Sequence, residues 1–156
     1  VVEVGTGAGV SGLWMLGGMP PEGVLTTIDV ESDHLRAART AFAEVGVRSG
    51  RIRGITGRAV DVLPRLTEGG YDLVLLDADP LGADAYLDRA VRLLRPGGVV
   101  ALHGALSADR AGDPAQRDPV TTAVRELSRA LRSSPELLPA LVPSSEGLLV
   151  AARRRR

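Results

Sequence analysis

The chain of 156 residues has the length of one domain, and its 44% hydrophobic and 24% charged residues are the balance of an ordinary globular protein. A formal net charge of zero and only 3% aromatic residues argue against nucleic acid or an anionic membrane as the partner. The sequence has no cysteine, which excludes disulfides, thiolate metal sites and cysteine nucleophiles, and it has no lysine.

Apolar runs, helical spacing and turn-forming Gly and Pro predict alternating strands and helices along the first half of the chain. In chain order, the predicted elements are a strand at Val1–Val4, a helix at Ser11–Leu16, a strand at Val24–Val30, a helix capped by Ser32 and closed by Gly46, a strand at Arg51–Thr56 and a short helix at Val60–Leu66. The residues expected to pack are Leu13, Trp14 and Leu16 in the first helix and Leu35, Ala38, Phe42 and Val45 in the second.

The second half continues the alternation. Its predicted elements are a strand at Tyr71–Asp77, a helix at Asp84–Leu94, a strand at Val99–Leu102, a long loop at Ala105–Pro119, a helix at Val120–Leu131 and strands at Leu137–Val142 and Leu148–Ala152. The short connection between the last two strands predicts a hairpin, so one of them runs antiparallel. Continuous apolar strands between helices indicate a mostly parallel α/β sheet covered on both faces, with ligands bound at the carboxyl ends of its strands.

Four glycines, at Gly5, Gly7, Gly9 and Gly12, follow the first strand and fit two kinds of cofactor loop. Residues 7–12 match the dinucleotide fingerprint G-x-G-x-x-G, and residues 3–9 match the E-x-G-x-G-x-G loop of S-adenosylmethionine-dependent methyltransferases. Glycine lets the backbone approach a ligand, and a helix N-terminus attracts negative charge. The glycines alone therefore suit a pyrophosphate or a carboxylate equally.

Two acidic residues bear on this choice. Asp29 ends the second predicted strand, where its carboxylate can accept hydrogen bonds from the ribose hydroxyls that both cofactors carry. Glu3 precedes the loop by two residues, and a carboxylate there repels a pyrophosphate but tolerates the sulfonium and ammonium groups of S-adenosylmethionine. Glu3 therefore favours S-adenosylmethionine, and a nicotinamide-dependent (NAD) dehydrogenase is the remote alternative.

The sequence resembles the O-methyltransferase family that includes caffeoyl-CoA and catechol O-methyltransferases, and within it an actinobacterial branch. The resemblance covers essentially the whole chain, and its segments are VVEVGTGAGVSGLWML, TTIDVESDHLRAAR, YDLVLLDAD and LLRPGGVVALHGAL. It implies a Rossmann-like class I methyltransferase fold with a seven-stranded sheet, one antiparallel strand near the C-terminus and helices on both faces. Members carry helices before the first motif, so we expect a methyltransferase domain at residues 1–152 without those helices, and a basic tail at residues 153–156.

The resemblance also implies a set of residues that bind S-adenosylmethionine. These are Glu3, Gly5, Thr6 and Ser11 for the methionine part with Gly7 in the same loop, Asp29 for the ribose, Val30 against the adenine, Gly57, Arg58 and Ala59 along the adenine edge, and Asp77 beside the reacting methyl group. The adenine-edge segment of the family usually reads Gly-Asp-Ala, so Arg58 departs from it.

Two further departures concern the chemistry. In metal-dependent members a divalent cation binds the substrate's oxygens and favours their deprotonated form, and its ligands are the acid at Asp77 and an Asp-Asn pair that here reads His103-Gly104. The family base is a lysine three residues after that acid, and this position is Pro80. Asp77 is therefore the candidate ligand for any Mg²⁺. His103 is the candidate base, because histidine is the side chain that most readily exchanges a proton near neutral pH, so Asp77 and His103 are the candidate catalytic residues.

The sequence as a whole predicts an S-adenosylmethionine-dependent O-methyltransferase that acts on a small hydroxylated acceptor, most simply a phenol. Pro80 and Gly104 keep a second interpretation open, in which a protein of the same fold binds S-adenosylmethionine but has lost catalysis. We expect no nucleic-acid or membrane partner, a cytoplasmic location because no signal peptide is visible, and a homodimer of the full-length protein from the resemblance. His34 is expected at the surface.

Overall fold

In the computed structural model, which describes residues 1–107 and 109–155, seven strands form one sheet in the order β3-β2-β1-β4-β5-β7-β6. The strands are β1 at Val2–Val4, β2 at Leu25–Asp29, β3 at Ile52–Thr56, β4 at Tyr71–Leu76, β5 at Leu94–His103, β6 at Leu137–Val142 and β7 at Leu148–Arg153. The α-helices among these residues are α1 at Val10–Gly18, α2 at Ser32–Glu44, α3 at Ala59–Val62, α4 at Asp84–Leu93 and α5 at Pro119–Ser133.

Strand direction follows the prediction. β1 to β5 pair in parallel, whereas β7 runs antiparallel to both of its neighbours, β5 and β6. From β1 the chain adds β2 and β3 on one side of the sheet and then crosses to add β4 and β5 on the other. The point where the order reverses, between β1 and β4, is where open α/β sheets leave a crevice for ligands.

The core lies on both faces of the sheet because successive residues of a strand point in opposite directions. On one face, α3, α4 and α5 pack over residues such as Val4, Val74 and Val100. On the other face, α1 and α2 cover the β2 side with a smaller cluster built on Leu25 and Phe42. The predicted two-faced α/β arrangement is therefore confirmed.

Several local predictions are wrong. Ser32 does not cap α2, since the N-cap position is Glu31 and no side chain bonds there. Trp14 and Val45 were expected to pack, but they are 80% and 64% exposed. β5 starts at Leu94 rather than Val99, because Leu94 already pairs with Tyr71 of β4, and the register is irregular before Val99 pairs with Leu73.

The Arg125 side chain of α5 binds the backbone of the long loop before that helix. The Arg125 guanidinium donates to the carbonyls of Ala111 at 2.9 Å, Gln116 at 2.6 Å and Arg110 at 3.0 Å. A 3-10 turn at Arg110–Gly112 lies within the loop. Ala108 of this loop lies outside the described residues.

The uncharged run near the start of the chain, residues 4–21, is divided between the end of β1, the glycine loop and α1. In the part of the chain that the structure describes, none of the helices is both long enough and apolar enough to traverse a bilayer.

Phe42 is fully buried beneath the first loop and α1, and its ring lies where β-carbons on Gly9 and Gly12 would come within 3.0 Å and 2.8 Å of it. Phe42→Ala should lower the free energy of unfolding by about 3–5 kcal/mol, because it removes the largest side chain of this cluster and leaves a cavity. Urea denaturation measures the loss. Val45→Ala, at an exposed position close by, is the control and should change stability by less than about 0.5 kcal/mol. Equal effects for the two variants would contradict this account of the core.

Candidate active site

A cleft of about 770 Å³ opens at the carboxyl ends of β1 to β4, over the switch between β1 and β4. Its walls are the glycine loop and first turn of α1, the end of β2, the segments after β3 and β4, and the start of α4. All of the predicted site residues line it except Glu3 and His103. None of the described residues of the loop before α5 is part of the wall.

The backbone of the glycine loop adopts positive φ angles, which residues with a side chain rarely adopt. Gly5 has a φ of +99°, and a β-carbon there would lie 2.2 Å from the carbonyl oxygen of Asp77. Gly7 has a φ of +50° with open space around it, and its amide donates to Asp29 Oδ2 at 3.0 Å. Gly9, with a φ of +89°, is the N-cap of α1, and no side chain caps the helix. The N-terminus of α1 therefore faces the cleft with its partial positive charge.

Glu3 lies beneath the loop and not on the wall of the cleft, with 0% of its surface exposed. The Ser11 hydroxyl donates to its Oε1, and the Thr27 hydroxyl donates to its Oε2 at 2.6 Å. Thr27 in turn shares a 2.6 Å hydrogen bond with Thr6. Burial raises the pKa of Glu3, and the hydrogen bonds from Ser11 and Thr27 oppose that rise. Direct contact between Glu3 and a cofactor stays a prediction.

Asp29 accepts three hydrogen bonds at the end of β2. The amides of Gly7 and Glu31 donate to it at 3.0 Å and 2.9 Å, and Nδ1 of His34 lies 3.2 Å from Oδ2. Partial burial works to raise the pKa of Asp29, but the bonds from Glu31, Gly7 and His34 outweigh it and hold the pKa below its ordinary value. The group is therefore an ionised, oriented acceptor at neutral pH.

The charge of the cleft is predominantly negative. Its lining includes the carboxylates of Asp29, Glu31, Asp77 and Asp79 but a single arginine, Arg58. The Arg58 side chain is mostly exposed, and its guanidinium is 4.0 Å from a carboxylate of α3. Since like charges repel most strongly where water is partly excluded, this cleft disfavours a polyphosphate and favours a cationic ligand.

Asp77 and His103 form a pair at the β4–β5 edge of the cleft. The parallel register places Leu76 opposite Leu102, so the next residue of each strand stands side by side. Nδ1 of His103 lies 2.8 Å from Asp77 Oδ1. The structure therefore brings the two candidate catalytic residues into contact, with Asp77 on the cleft wall and His103 beside it but not among the lining residues.

The side chains around Asp77 do not fit a divalent cation. Among the described residues, no three His, Asp or Glu side chains converge as a metal site. Gly104 offers no donor, and Asp79 Oδ1 accepts the amide of Leu81 at 2.9 Å. Mg²⁺ prefers oxygen ligands in an octahedral shell, and among the described residues Asp77 has an imidazole and a glycine beside it where a set of carboxylates would be needed.

The comparisons with known proteins agree with this fold and cleft. The O-methyltransferase family profile matches residues 1–154. A Mycobacterium ulcerans (strain Agy99) protein whose name places it among the O-methyltransferases is 56% identical over 153 residues, which are 98% of this chain and 68% of that protein. A solved protein from Corynebacterium glutamicum has a TM-score of 0.92 at 34% identity, covering 99% of this chain and 72% of that one. The O-methyltransferase TomG of Streptomyces achromogenes, involved in tomaymycin synthesis and solved with S-adenosylmethionine, has a TM-score of 0.88 at 28% identity and the same coverage.

The sheet order and the position of the cleft, together with these neighbours, define a Rossmann-like class I methyltransferase fold. The chain belongs to the O-methyltransferase family, and the predicted family is confirmed.

Sequence reasoning missed several residues of the cleft. His34 is exposed, as expected, but its place on the cleft wall and its bond to Asp29 were not predicted. Leu81 and Tyr86 also line it, on the segment after β4 and on α4. The position of His34 in the first turn of the helix that follows Asp29 was the signal that could have identified it, because that turn lies over the strand end.

Glu3→Ala should destabilise the fold, since it removes the shared acceptor of the Thr27 and Ser11 hydroxyls beneath the loop. We expect a loss of about 1–3 kcal/mol, measured by urea unfolding. Glu3→Gln is the matched control and should lose much less, because an amide can accept one hydroxyl and donate to the other. Equal losses in the two variants would show that the hydroxyl contacts are unimportant.

The same pair predicts a pH dependence. Burial raises the pKa of Glu3 from its ordinary value of 4.5, so the folded state holds this proton more tightly than the unfolded state does. The contribution of Glu3 to stability therefore falls as the pH rises from its unfolded pKa through its folded pKa. Over that pH range, the unfolding free energy of the wild type should fall relative to that of Glu3→Gln. A difference that stays constant with pH would contradict the shift.

Gly5→Ala and Gly7→Ala form a matched pair in the loop. The new β-carbon of Gly5→Ala would meet the Asp77 carbonyl at 2.2 Å, so the junction between β1 and β4 must open, and we expect failure to fold or a large drop in the unfolding midpoint. Gly7→Ala meets no atom within 4 Å and bears only the cost of its positive φ, about 1–2 kcal/mol. Thermal unfolding of both variants tests the order, and a milder effect at Gly5 would refute the close approach.

Proposed function

We propose that the cleft binds S-adenosylmethionine and that the chain transfers its methyl group to a hydroxyl oxygen of a small acceptor. The observation that carries the proposal is the acidic cleft at the switch between β1 and β4, which the glycine loop lines. S-adenosylmethionine brings a sulfonium and an ammonium group, which suit the four carboxylates on the wall, and a carboxylate, which suits the N-terminus of α1. The complex of TomG with S-adenosylmethionine supports the same cofactor.

The proposed contacts follow the strand ends in order. Gly5, Thr6, Gly7 and Ser11 hold the methionine part, with Glu3 orienting Ser11 from beneath. Asp29 accepts the ribose hydroxyls, for which its ionised state is suited. Val30, an exposed apolar residue on the wall, packs against the adenine, and Gly57, Arg58 and Ala59 border its edge.

The acceptor half of the cleft begins at Asp77. Beyond it the lining is largely apolar and includes Ala78, Leu81, Ala85 and Tyr86. A planar hydroxylated ring fits such a wall, because it buries apolar surface while its hydroxyl reaches the polar group at one end. We therefore propose a small phenolic acceptor. A homodimer of the full-length protein and a cytoplasmic location remain predictions.

Two residues are proposed to act at the reacting atoms. Asp77 lies beside the transferable methyl group, where its negative charge favours binding of the sulfonium. His103 takes the proton of the acceptor hydroxyl, which is the task of the missing family lysine. A positioned base of this kind contributes about 10²–10⁴ in rate, and alignment of oxygen, methyl and sulfur contributes the rest.

Calorimetric titration of the full-length protein with S-adenosylhomocysteine tests the cofactor assignment. We expect binding to the wild type and about 10- to 100-fold weaker binding to Asp29→Asn, because a charged hydrogen-bond acceptor is lost. Asp33→Asn is the matched control, since Asp33 lies on the exposed side of α2 and pairs with Arg36 outside the cleft. It should bind as the wild type does.

The alternatives predict different results. Binding of NADH in preference to S-adenosylhomocysteine would overturn the proposal and favour a dehydrogenase. Binding of S-adenosylhomocysteine without methylation of any phenol, with or without Mg²⁺, would favour a binding protein that has lost catalysis. Pro80 and Gly104 are the residues that allow this interpretation.

A further inference from the structure

Asp77 occupies the position that metal-dependent relatives use for a cation, but in this chain its side chain has a different partner. Its Oδ1 is engaged by Nδ1 of His103 at 2.8 Å. A ring nitrogen bonded to a carboxylate carries the proton, so the neutral imidazole keeps its lone pair on Nε2. Asp77 thus fixes the tautomer in which Nε2 can accept a proton, as a carboxylate does for histidine in catalytic triads.

The sheet order places this pair on the acceptor side of the cleft. β4 lies between β1, which carries the glycine loop, and β5, which carries His103. Asp77 therefore separates the cofactor loop from the imidazole. The His103 side chain is about half exposed, so the imidazole can be reached from solvent beside Asp77.

We propose that Asp77 and His103 form a metal-independent base, in which Asp77 positions the imidazole and His103 Nε2 removes the acceptor proton. This inference rests on the proposed O-methyl transfer. In the step, the acceptor O–H proton passes to Nε2 while the oxygen bonds to the methyl carbon. The carbon–sulfur bond breaks, and its electron pair stays on sulfur to leave S-adenosylhomocysteine. The imidazolium then returns its proton to water.

A consequence follows for the acceptor class. A cation that activates a catechol binds two adjacent oxygens, so it selects vicinal diols. A histidine base needs a single hydroxyl. The chain should therefore methylate monophenols as readily as matched catechols, and the wall of Leu81 and Tyr86, not chelation, should govern the choice of ring.

The first experiment compares 4-hydroxybenzaldehyde with 3,4-dihydroxybenzaldehyde in the full-length protein, with EDTA or with MgCl₂. We expect both to be methylated at rates that differ by less than about tenfold and do not depend on the metal. Turnover that needs Mg²⁺ and the vicinal diol would overturn the inference and leave the proposed function intact. Failure to bind S-adenosylhomocysteine would overturn the proposed function instead.

The second experiment uses variants and acceptors of different acidity. His103→Gln should lower kcat by about 10²–10⁴ with 4-methylphenol but far less with 4-nitrophenol, which ionises without help. Asp77→Asn should show the same dependence on acceptor acidity in weaker form, and Asp88→Asn, at an exposed position of α4 outside the cleft, should behave as the wild type. Equal loss with both phenols would mean that His103 has only a structural role.

A third measurement does not depend on turnover. Manganese binding to the complex with S-adenosylhomocysteine, followed by electron paramagnetic resonance, should show no stoichiometric site. A site that binds one Mn²⁺ in the wild type and is lost in Asp77→Asn would overturn the inference. Nitrogen-15 NMR of the histidines should show His103 protonated at Nδ1, and protonation at Nε2 would equally overturn it.

Discussion

The contact between the backbone after β1 and the backbone after β4 sets the geometry of the cleft. The Asp77 amide donates to the Val4 carbonyl at 2.8 Å, and the Asp77 carbonyl lies 2.2 Å from where a β-carbon on Gly5 would be. The two strand ends can meet this closely only because Gly5 has no side chain and accepts a positive φ. The glycine loop must then turn away from β4. This turn places the start of α1 over the opening of the cleft.

Glu3 shows how the loop is held once it has turned. A buried carboxylate destabilises a fold unless hydrogen bonds replace its water. Here the hydroxyl donors come from Ser11 on α1 and Thr27 on β2, so the bonds that satisfy the charge also tie the helix and two strands together. The role of Glu3 that the geometry supports is thus to fix Ser11 and the loop.

Much of the fold could be predicted because its signals are local. Apolar runs such as Tyr71–Leu76 identify strands, and the spacing of glycines after Val4 identifies the turn into a helix. The exposure of Trp14 and Val45 could not be predicted in this way. Helical spacing shows which residues share a face, but whether that face meets the sheet or solvent depends on the angle at which the helix crosses it.

The candidate site likewise has features that local sequence signals predict and features that they do not. Asp29 and Asp77 could be located because each follows an apolar strand, and parallel strands end at one edge of the sheet. The contacts of His34 with Asp29 and of His103 with Asp77 could not, since they depend on how a helix turn and a neighbouring strand place the two rings. Residue types and spacing therefore predict which groups reach the edge of the sheet. Which of these groups pair with one another can be seen only in the folded structure.

Asp77 joins the two halves of the site through different atoms. Its backbone fixes the position of Gly5 and hence of the cofactor loop, while its side chain fixes the imidazole of His103. Methyl transfer requires the acceptor oxygen, methyl carbon and sulfur to lie in line, and errors on the order of 1 Å cost much of the rate. When one residue sets both the loop and the proposed base, the two cannot drift independently. That coupling is a physical reason why a chain without the family lysine could keep the alignment that the proposed methyl transfer requires.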